Sequence, residues 1–517
     1  MQLTQALTRA VQLRSRRVAT IYGDRKRTWG EIGARVERFA AALRALELKP
    51  GDRIAILALN SDRYIELFFA TAWAGLVIVP LNTRWAVPEN LYALREAECE
   101  VLLVDDQFVE QVPALRNGHP LRHVIYMGEN ETPAGQLSYE ALLEAAQPMK
   151  DECGKDDDLC GIYYTGGTTG SPKGVMLSQA NCVASSINWI ATLHFSEDTV
   201  YLHSAGFFHL AGASPAMALT MVGGVHVCLP KFDAALAFEA VQKHRVNYVL
   251  FVPTMINLLI NHPDFDRYDL TSVRYCEYGA SPMPEAVLNL ALKKLPTWEF
   301  IQGYGMTETS ALNLSLPWRY HFDSEDCPNR RVATGRAAFG VDIRIVDPDG
   351  NELPRGTVGE IAVRGTQVML GYWRNPEATK KAIRKGWMHT GDGAYMDDDG
   401  FVYIVDRVKD MIISGGENIY SREVENAIYQ HPAIRECAVI AVPNEQWGES
   451  VHAVVVFREG QSASAKEIIE HCRTLIAGYK CPRSVEVRDA LPVSAAGKLQ
   501  KNVLREPFWK GQSRHVG

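Results

Sequence analysis

The densest run of ligand-capable residues is Tyr164-Thr165-Gly166-Gly167-Thr168-Thr169-Gly170-Ser171-Pro172-Lys173-Gly174. Glycine lets backbone N–H groups turn toward an anion, and the hydroxyls add donors. The lysine adds a point charge suited to phosphate. The Walker A pattern GxxxxGK[ST] does not fit, because Pro172 precedes Lys173 and Gly174 takes the hydroxyl position. Further along, Thr307-Glu308 follows Gly303-Tyr304-Gly305-Met306. A carboxylate oxygen there suits a hard cation, although a lone Thr-Glu pair also caps helices. Asp392 closes Thr390-Gly391-Asp392, where a carboxylate can accept two hydrogen bonds or simply end a turn. Lys498 lies in Ser494-Ala495-Ala496-Gly497-Lys498, whose small residues suit a mobile segment; a tail lysine is otherwise a solvated charge.

Taken together these strings resemble the adenylate-forming superfamily, which includes acyl-CoA synthetases, luciferases and peptide-synthetase adenylation domains. The resemblance continues through Phe207-Phe208-His209, Gly279-Ala280-Ser281, Asp406-Arg407-Val408-Lys409-Asp410 and Ser414-Gly415-Gly416-Glu417-Asn418-Ile419-Tyr420. The motifs occur in family order over about residues 15–505. Within the superfamily the chain is most similar to bacterial fatty-acyl and related acyl-CoA ligases.

The resemblance implies an ATP-dependent acyl-CoA ligase. It would activate a carboxylic acid, fatty or otherwise apolar, as an acyl-adenylate and pass it to CoA, releasing AMP and pyrophosphate. A carboxylate is a poor electrophile, and its adenylate carries a good leaving group. Bringing that carboxylate to a polyanion needs positive charge and Mg²⁺. By resemblance, Thr165, Gly167, Thr168, Thr169, Gly170, Ser171 and Lys173 cradle the β and γ phosphates. Relatives often have serine where this chain has Gly166, so one hydroxyl contact is missing. Glu308 is the expected Mg²⁺ ligand, and Thr307 reaches the α-phosphate. Tyr304 stacks on adenine, with Gly279, Ala280 and Ser281 on the other face. Asp392 and Arg407 hold the ribose. Lys498 bridges carboxylate and α-phosphate. His209 follows an aromatic residue and lines or gates the acyl channel; the amino-acid-activating relatives commonly have aspartate there. Phe208, Leu210, Gly212, Trp189 and Met306 make that neighbourhood apolar. Gly415, Gly416 and Trp447 are expected on the CoA side.

These residues need a scaffold. Helical and strand periods alternate through the first two thirds, which argues for parallel strands with crossover helices. Expected elements include a helix at Trp29–Leu46, strands at Val18–Tyr22, Val77–Pro80, Gly161–Tyr164 and Arg274–Tyr278, and, after the glycine-rich loop, a helix from about Gln179. From about Gly340, turns such as Asp347-Pro348-Asp349-Gly350 mark a β-rich region. The fold class is therefore α/β: a large N-terminal domain of two α/β subdomains plus a β-rich subdomain, with a small mobile α+β C-terminal domain. The expected boundaries are 1–405 for the ATP- and acyl-binding domain, 406–410 for a hinge and 411–517 for the mobile domain.

Composition narrows the rest. The 517 residues are 47% hydrophobic and 22% charged, with net charge -7, which excludes disorder and argues against a nucleic-acid partner. Ten scattered cysteines without a CxxC pair suggest a reduced, cytoplasmic setting. The apolar stretch Leu67–Leu81 contains Gly75 and ends beyond Pro80, so it reads as a buried helix entering a strand. Arginines 9, 14, 16 and 17 without an intervening acid leave room for a transit segment or a transient membrane association, against an ordinary first helix. A homodimer is compatible with all of this. Rival readings are a stand-alone adenylation enzyme delivering to a separate carrier protein, an oxygenase of the luciferase type, and a non-catalytic sensor.

Overall fold

The computed structural model describes the chain except residues 153, 166–171, 282, 323–328, 408–409, 416, 494–498 and 511–517, together with the side chains of Arg407 and Asn418. Among the described residues, the strands form four sheets. In the nine-stranded sheet, Val18–Tyr22, Val225–Cys228, Val200–His203, Tyr248–Leu250, Tyr275–Gly279 and Glu299–Tyr304 lie side by side and parallel. The eight-stranded sheet repeats the scheme with Arg53–Leu57, Val77–Pro80, Val101–Val104 and Leu159–Thr165 among its parallel members.

Both sheets are buried on both faces. One large core joins Ile54, Ile56 and Ile78 of one sheet to Tyr201, Tyr248 and Ile301 of the other, through helices that supply Val36, Phe39, Phe68, Trp189 and Leu210. Separate cores cover the two outer faces. The layers thus run helix, sheet, helix, sheet, helix. The near-continuous apolar strands follow from this, since a parallel strand covered on both faces has no solvent side.

Local chemistry sets the element ends. The helix Trp29–Ala45 starts at Thr28, whose hydroxyl accepts from Glu31 N while Glu31 answers with a bond from Thr28 N. Helix Asp62–Trp73 runs into strand Val77–Pro80, as the apolar stretch implied. Among the described residues no helix is long and apolar enough to cross a membrane. In the first helix, Arg9 donates to Met221 O and Arg14 pairs with Glu197 at 2.7 Å, which ties it to the body of the protein.

One element differs from the expectation. Helix Gln179–Leu193 does not follow the glycine-rich loop directly, because Lys173–Ser178 is a strand paired antiparallel with Leu159–Thr165. The loop is the tip of a hairpin. Lys173-Gly174-Val175-Met176-Leu177-Ser178 reads as loop continuation only because its lysine and glycine come first.

The β-rich region is a five-stranded antiparallel sheet around Trp387–Met396. Beyond it, Gly448–Phe457 centres a further five-stranded sheet with its own core of Val424, Ile428, Val439, Ala453 and Ile468.

Two histidines are sealed into the large core. Thr220 gives its hydroxyl proton to Ala216 O (2.9 Å), so its oxygen accepts from His226 Nε2 (3.3 Å). His226 Nδ1 then accepts from His203 Nε2 at 2.9 Å. Burial holds His226 down to about 3 and His203 well below its ordinary value. Below pH ~6.5 the unfolded histidines bind protons that the folded pair does not, so stability falls as pH drops. Each histidine contributes about 1.4 kcal/mol per pH unit. Between pH 7.5 and 5.5 the pair should cost about 3 kcal/mol, and His203→Gln should roughly halve that. Denaturant unfolding at the two pH values measures it; an equal loss in both proteins would refute the assignment.

Candidate active site

Gly279 and Tyr304 end adjacent parallel strands of the nine-stranded sheet, at the C-terminal edge where open parallel sheets place ligands. Gly279 and Gly303 are in register on adjacent strands. A Cβ on Gly279 would sit 2.1 Å from Gly303 O, and one on Gly305 would sit 1.3 Å from Ala311 O. The bare backbone is therefore required by close approach. Ala280 turns the chain away at φ +63°, and Ser281 follows it at the same edge.

After Tyr304 the chain makes a single helical turn, Thr307–Thr309, and returns through Ser310 and Ala311 at positive φ to strand Leu314–Leu316. Buried side chains clamp that turn. Gln367 Nε2 donates to Thr309 O (2.9 Å) and Leu312 O (2.6 Å), while its own main-chain carbonyl accepts from Ser310 Oγ (2.7 Å). Asn188 Nδ2 donates to Gln367 Oε1 (2.7 Å), and Ser185 Oγ donates to Ser310 O (2.6 Å). The turn that carries Thr307 and Glu308 is consequently held in place by side chains from distant parts of the chain.

Glu308 is buried and accepts from the Tyr372 hydroxyl at 2.8 Å. The Tyr372 ring lies 4.9 Å beneath Lys173 Nζ. Burial, and then the Glu308 charge, push the Tyr372 phenol far above its ordinary value, so it stays a donor. Strand Gly371–Tyr372 reaches this place by pairing with Lys173–Ser178. A cavity of about 460 Å³ opens here, lined by Lys173, Tyr372, Asn375, Glu377 and Lys381. Its two lysines suit a polyanion. Thr165 stands opposite Lys173 across the hairpin.

At the other end of the same turn, Tyr304 donates its hydroxyl to Asp392 Oδ2 at 2.6 Å. Asp392 is buried and in register with Arg407 on the neighbouring strand. Arg422, on helix Ser421–Tyr429, donates to Ile404 O at 3.3 Å and lies within electrostatic reach of Glu425, Asp406 and Asp392. Burial lowers its pKa below the ordinary guanidinium value.

His209 ends the loop before helix Leu210–Val222, and its carbonyl accepts from Gly212 N and Ala213 N at 2.9 Å. Its ring packs 4.2 Å from that of Phe208. Trp189 is buried and Met306 packs on the same core. In the C-terminal part, Gly415 N donates to Trp447 O at 2.9 Å. Gly415 has φ +61°, and a Cβ there would lie 2.7 Å from the Trp447 ring. Arg483 covers that ring at 4.9 Å.

The structure thus brings together Lys173, Thr307, Glu308, Tyr304 and Asp392, and separately Gly415 with Trp447. Gly167, Thr168, Thr169, Gly170, Ser171, Gly416 and Lys498 lie outside the described residues, as does the Arg407 side chain. Sequence reading missed Tyr372, Gln367, Asn188 and Arg422. Nothing in their local strings distinguishes them from any other buried polar residue.

Among the described residues no group of three or more His, Cys, Asp or Glu could hold a metal by itself. A single buried carboxylate, Glu308, fits Mg²⁺, which commonly takes one or two protein carboxylates and the oxygens of substrate phosphates and water.

Family models and known proteins match this chain over most of its length. The family model for AMP-binding enzyme matches residues 7–373, and that for the AMP-binding enzyme C-terminal domain matches 423–498. A feruloyl-CoA synthase of Amycolatopsis sp. is 39% identical, over 95% of this chain and 96% of its own. The long-chain-fatty-acid–CoA ligase FadD13 of Mycobacterium tuberculosis is 35% identical, over 94% of each. The o-succinylbenzoate CoA synthetase of Bacillus subtilis, solved with its acyl-adenylate intermediate, superposes with TM-score 0.85 at 29% identity over 99% of both chains.

Proposed function

The chain belongs to the AMP-binding enzyme family, and we propose that the residues assembled above make it an ATP-dependent acid–thiol ligase forming acyl-CoA. A carboxylate oxygen attacks the α-phosphorus of ATP and pyrophosphate leaves. The CoA thiol then attacks the acyl carbonyl and AMP leaves. The observation that carries the reading is one clamped turn bearing Tyr304 and Glu308, with Asp392 at one end and Tyr372 and Lys173 at the other. That arrangement suits the ribose and phosphate ends of a single nucleotide.

The chain's own groups act as follows. Lys173, with Thr165 and the loop Gly167, Thr168, Thr169, Gly170 and Ser171, holds the phosphates. Glu308 would hold Mg²⁺, which supplies charge neutralisation when bound, and Tyr372 fixes its carboxylate. Thr307 orients the α-phosphate. Tyr304 packs against adenine opposite Gly279, Ala280 and Ser281, while Asp392 and Arg407 hold the ribose. Lys498 brings the two anions together. His209, Phe208, Trp189 and Met306 border an acyl site with an apolar body. Gly415, Gly416 and Trp447 lie on the CoA side of a domain spanning 411–517, which turns on a hinge at 406–410.

The described cysteines are free and buried, which supports work in the reduced cytoplasm. A homodimer and a transient membrane association belong to the same reading, and size-exclusion chromatography and vesicle co-sedimentation test them. The central experiment measures AMP and thioester with Mg-ATP and CoA over alkyl, aryl and dicarboxylic acids. AMP and acyl-CoA in equal amounts support the ligase. Pyrophosphate without thioester would transfer the acceptor role to a carrier protein.

A further inference from the structure

Glu277 has no part in the scheme above, yet it is a deeply buried carboxyl, 4% exposed. Among the described residues its Oε2 has no hydrogen-bond partner. Burial alone pushes its pKa well above the ordinary value. A buried carboxyl oxygen without a hydrogen-bond partner is destabilising, and groups perturbed this strongly cluster at functional sites.

Its place points to the use. Glu277 stands in register with Leu250 and Ile301. Leu250 and Ile301 face the large core that also holds Trp189, Phe207 and Leu210, whereas Cys276 and Tyr278 face the opposite core. Glu277 therefore looks toward the helices that border the acyl site. It lies two residues, about 7 Å, below Gly279 at the strand end. A Cβ on Gly303 would come within 2.4 Å of Glu277 Oε1, so the carboxyl fills the space beneath that glycine. Tyr248 shares the face, and its buried hydroxyl also lacks a partner among the described residues. Burial first, and then Glu277, raise the Tyr248 phenol, which puts the two groups within electrostatic reach. The Phe195 ring joins Tyr248 (4.7 Å) to Trp189 (6.1 Å), and Trp189 Nε1 is buried without a described partner as well.

We propose that Glu277 and Tyr248 form the polar inner end of the acyl site, and that the preferred acid carries a hydroxyl group remote from its carboxylate. This rests on the ligase reading above. A neutral carboxyl and a phenol can each donate and accept, as can a hydroxyl, so one ligand group answers both. An apolar tail would leave both orphaned, and a site built to bond a substrate hydroxyl discriminates strongly against the analogue lacking it.

The test compares kcat/KM for acids of one skeleton with and without the hydroxyl: 4-hydroxycinnamate against cinnamate, and 10-hydroxydecanoate against decanoate. The hydroxylated member of at least one pair should be favoured by about tenfold or more. Glu277→Leu should abolish or invert that preference without lowering the melting temperature, because an unsatisfied polar group is replaced by an apolar one. Tyr248→Phe should weaken the preference while keeping the ring packing, and it decides the matter if Glu277→Leu does not fold. Turnover with no preference in either pair, or a preference that survives Glu277→Leu, would overturn this inference alone. A stronger preference for 10-aminodecanoate would replace the hydroxyl by an ammonium and overturn it too. AMP formation from none of the acids would overturn the ligase reading itself.

Discussion

Lys498→Ala is expected to slow acyl-adenylate formation by at least ~100-fold, about 2.7 kcal/mol of barrier, while leaving thioester formation from supplied acyl-adenylate near the wild-type rate. In the first half-reaction a carboxylate must approach a polyphosphate, and repulsion between the anions is part of the barrier. A fixed cation about 4 Å away is worth roughly 4 kcal/mol at an effective dielectric near 20. In the second half-reaction the nucleophile is a thiol and the polyphosphate has gone, so the same charge contributes little. Single-turnover assays of each half-reaction measure the split. Equal losses in both would remove the proposal that the 411–517 domain presents Lys498 to one step and Gly415–Trp447 to the other.

Gly305→Ala is expected to lower adenylation by at least ~100-fold in protein that still folds. The new methyl would fall 1.3 Å from Ala311 O, so the turn between them must open by more than an ångström. That turn carries Thr307 and Glu308, and a misplacement of about 1 Å can cost ~100-fold in rate. Gln367 and Asn188 hold the turn from behind and oppose relaxation. Gly478→Ala is the control, since a methyl there meets nothing within 4 Å. Circular dichroism and adenylation kinetics on both variants test the argument. Full activity in Gly305→Ala would show that the turn does not position the reacting groups.

Much of the scaffold was legible because parallel strands covered on both faces must be short and apolar, and crossover helices must be amphipathic. Val77–Pro80 and helix Gln179–Leu193 could be read from such patterns. Strand Lys173–Ser178 could not, because its first residues, Lys173 and Gly174, also complete the phosphate loop. The groups proposed to face ligand were read where chemistry demands a contiguous string: glycines for close approach, hydroxyls and lysine for phosphate, and Thr307-Glu308 behind Tyr304.

By itself, then, the sequence determined the layered α/β class and the class of reaction, and it marked the local strings proposed to touch a nucleotide, since each is written within a few neighbouring residues. The tertiary structure alone decided which group holds Glu308, since Tyr372 lies 64 residues away. It alone set Asp392 opposite Arg407, brought Arg422 within electrostatic reach of Asp392, and left Glu277 Oε2 and the Tyr248 hydroxyl on one face without partners among the described residues. A tyrosine, a glutamine or a glutamate in an apolar strand has no local mark that separates it from its equivalents. Its role follows from what packing places across from it, and packing is fixed by strand register and helix docking between segments far apart in the chain.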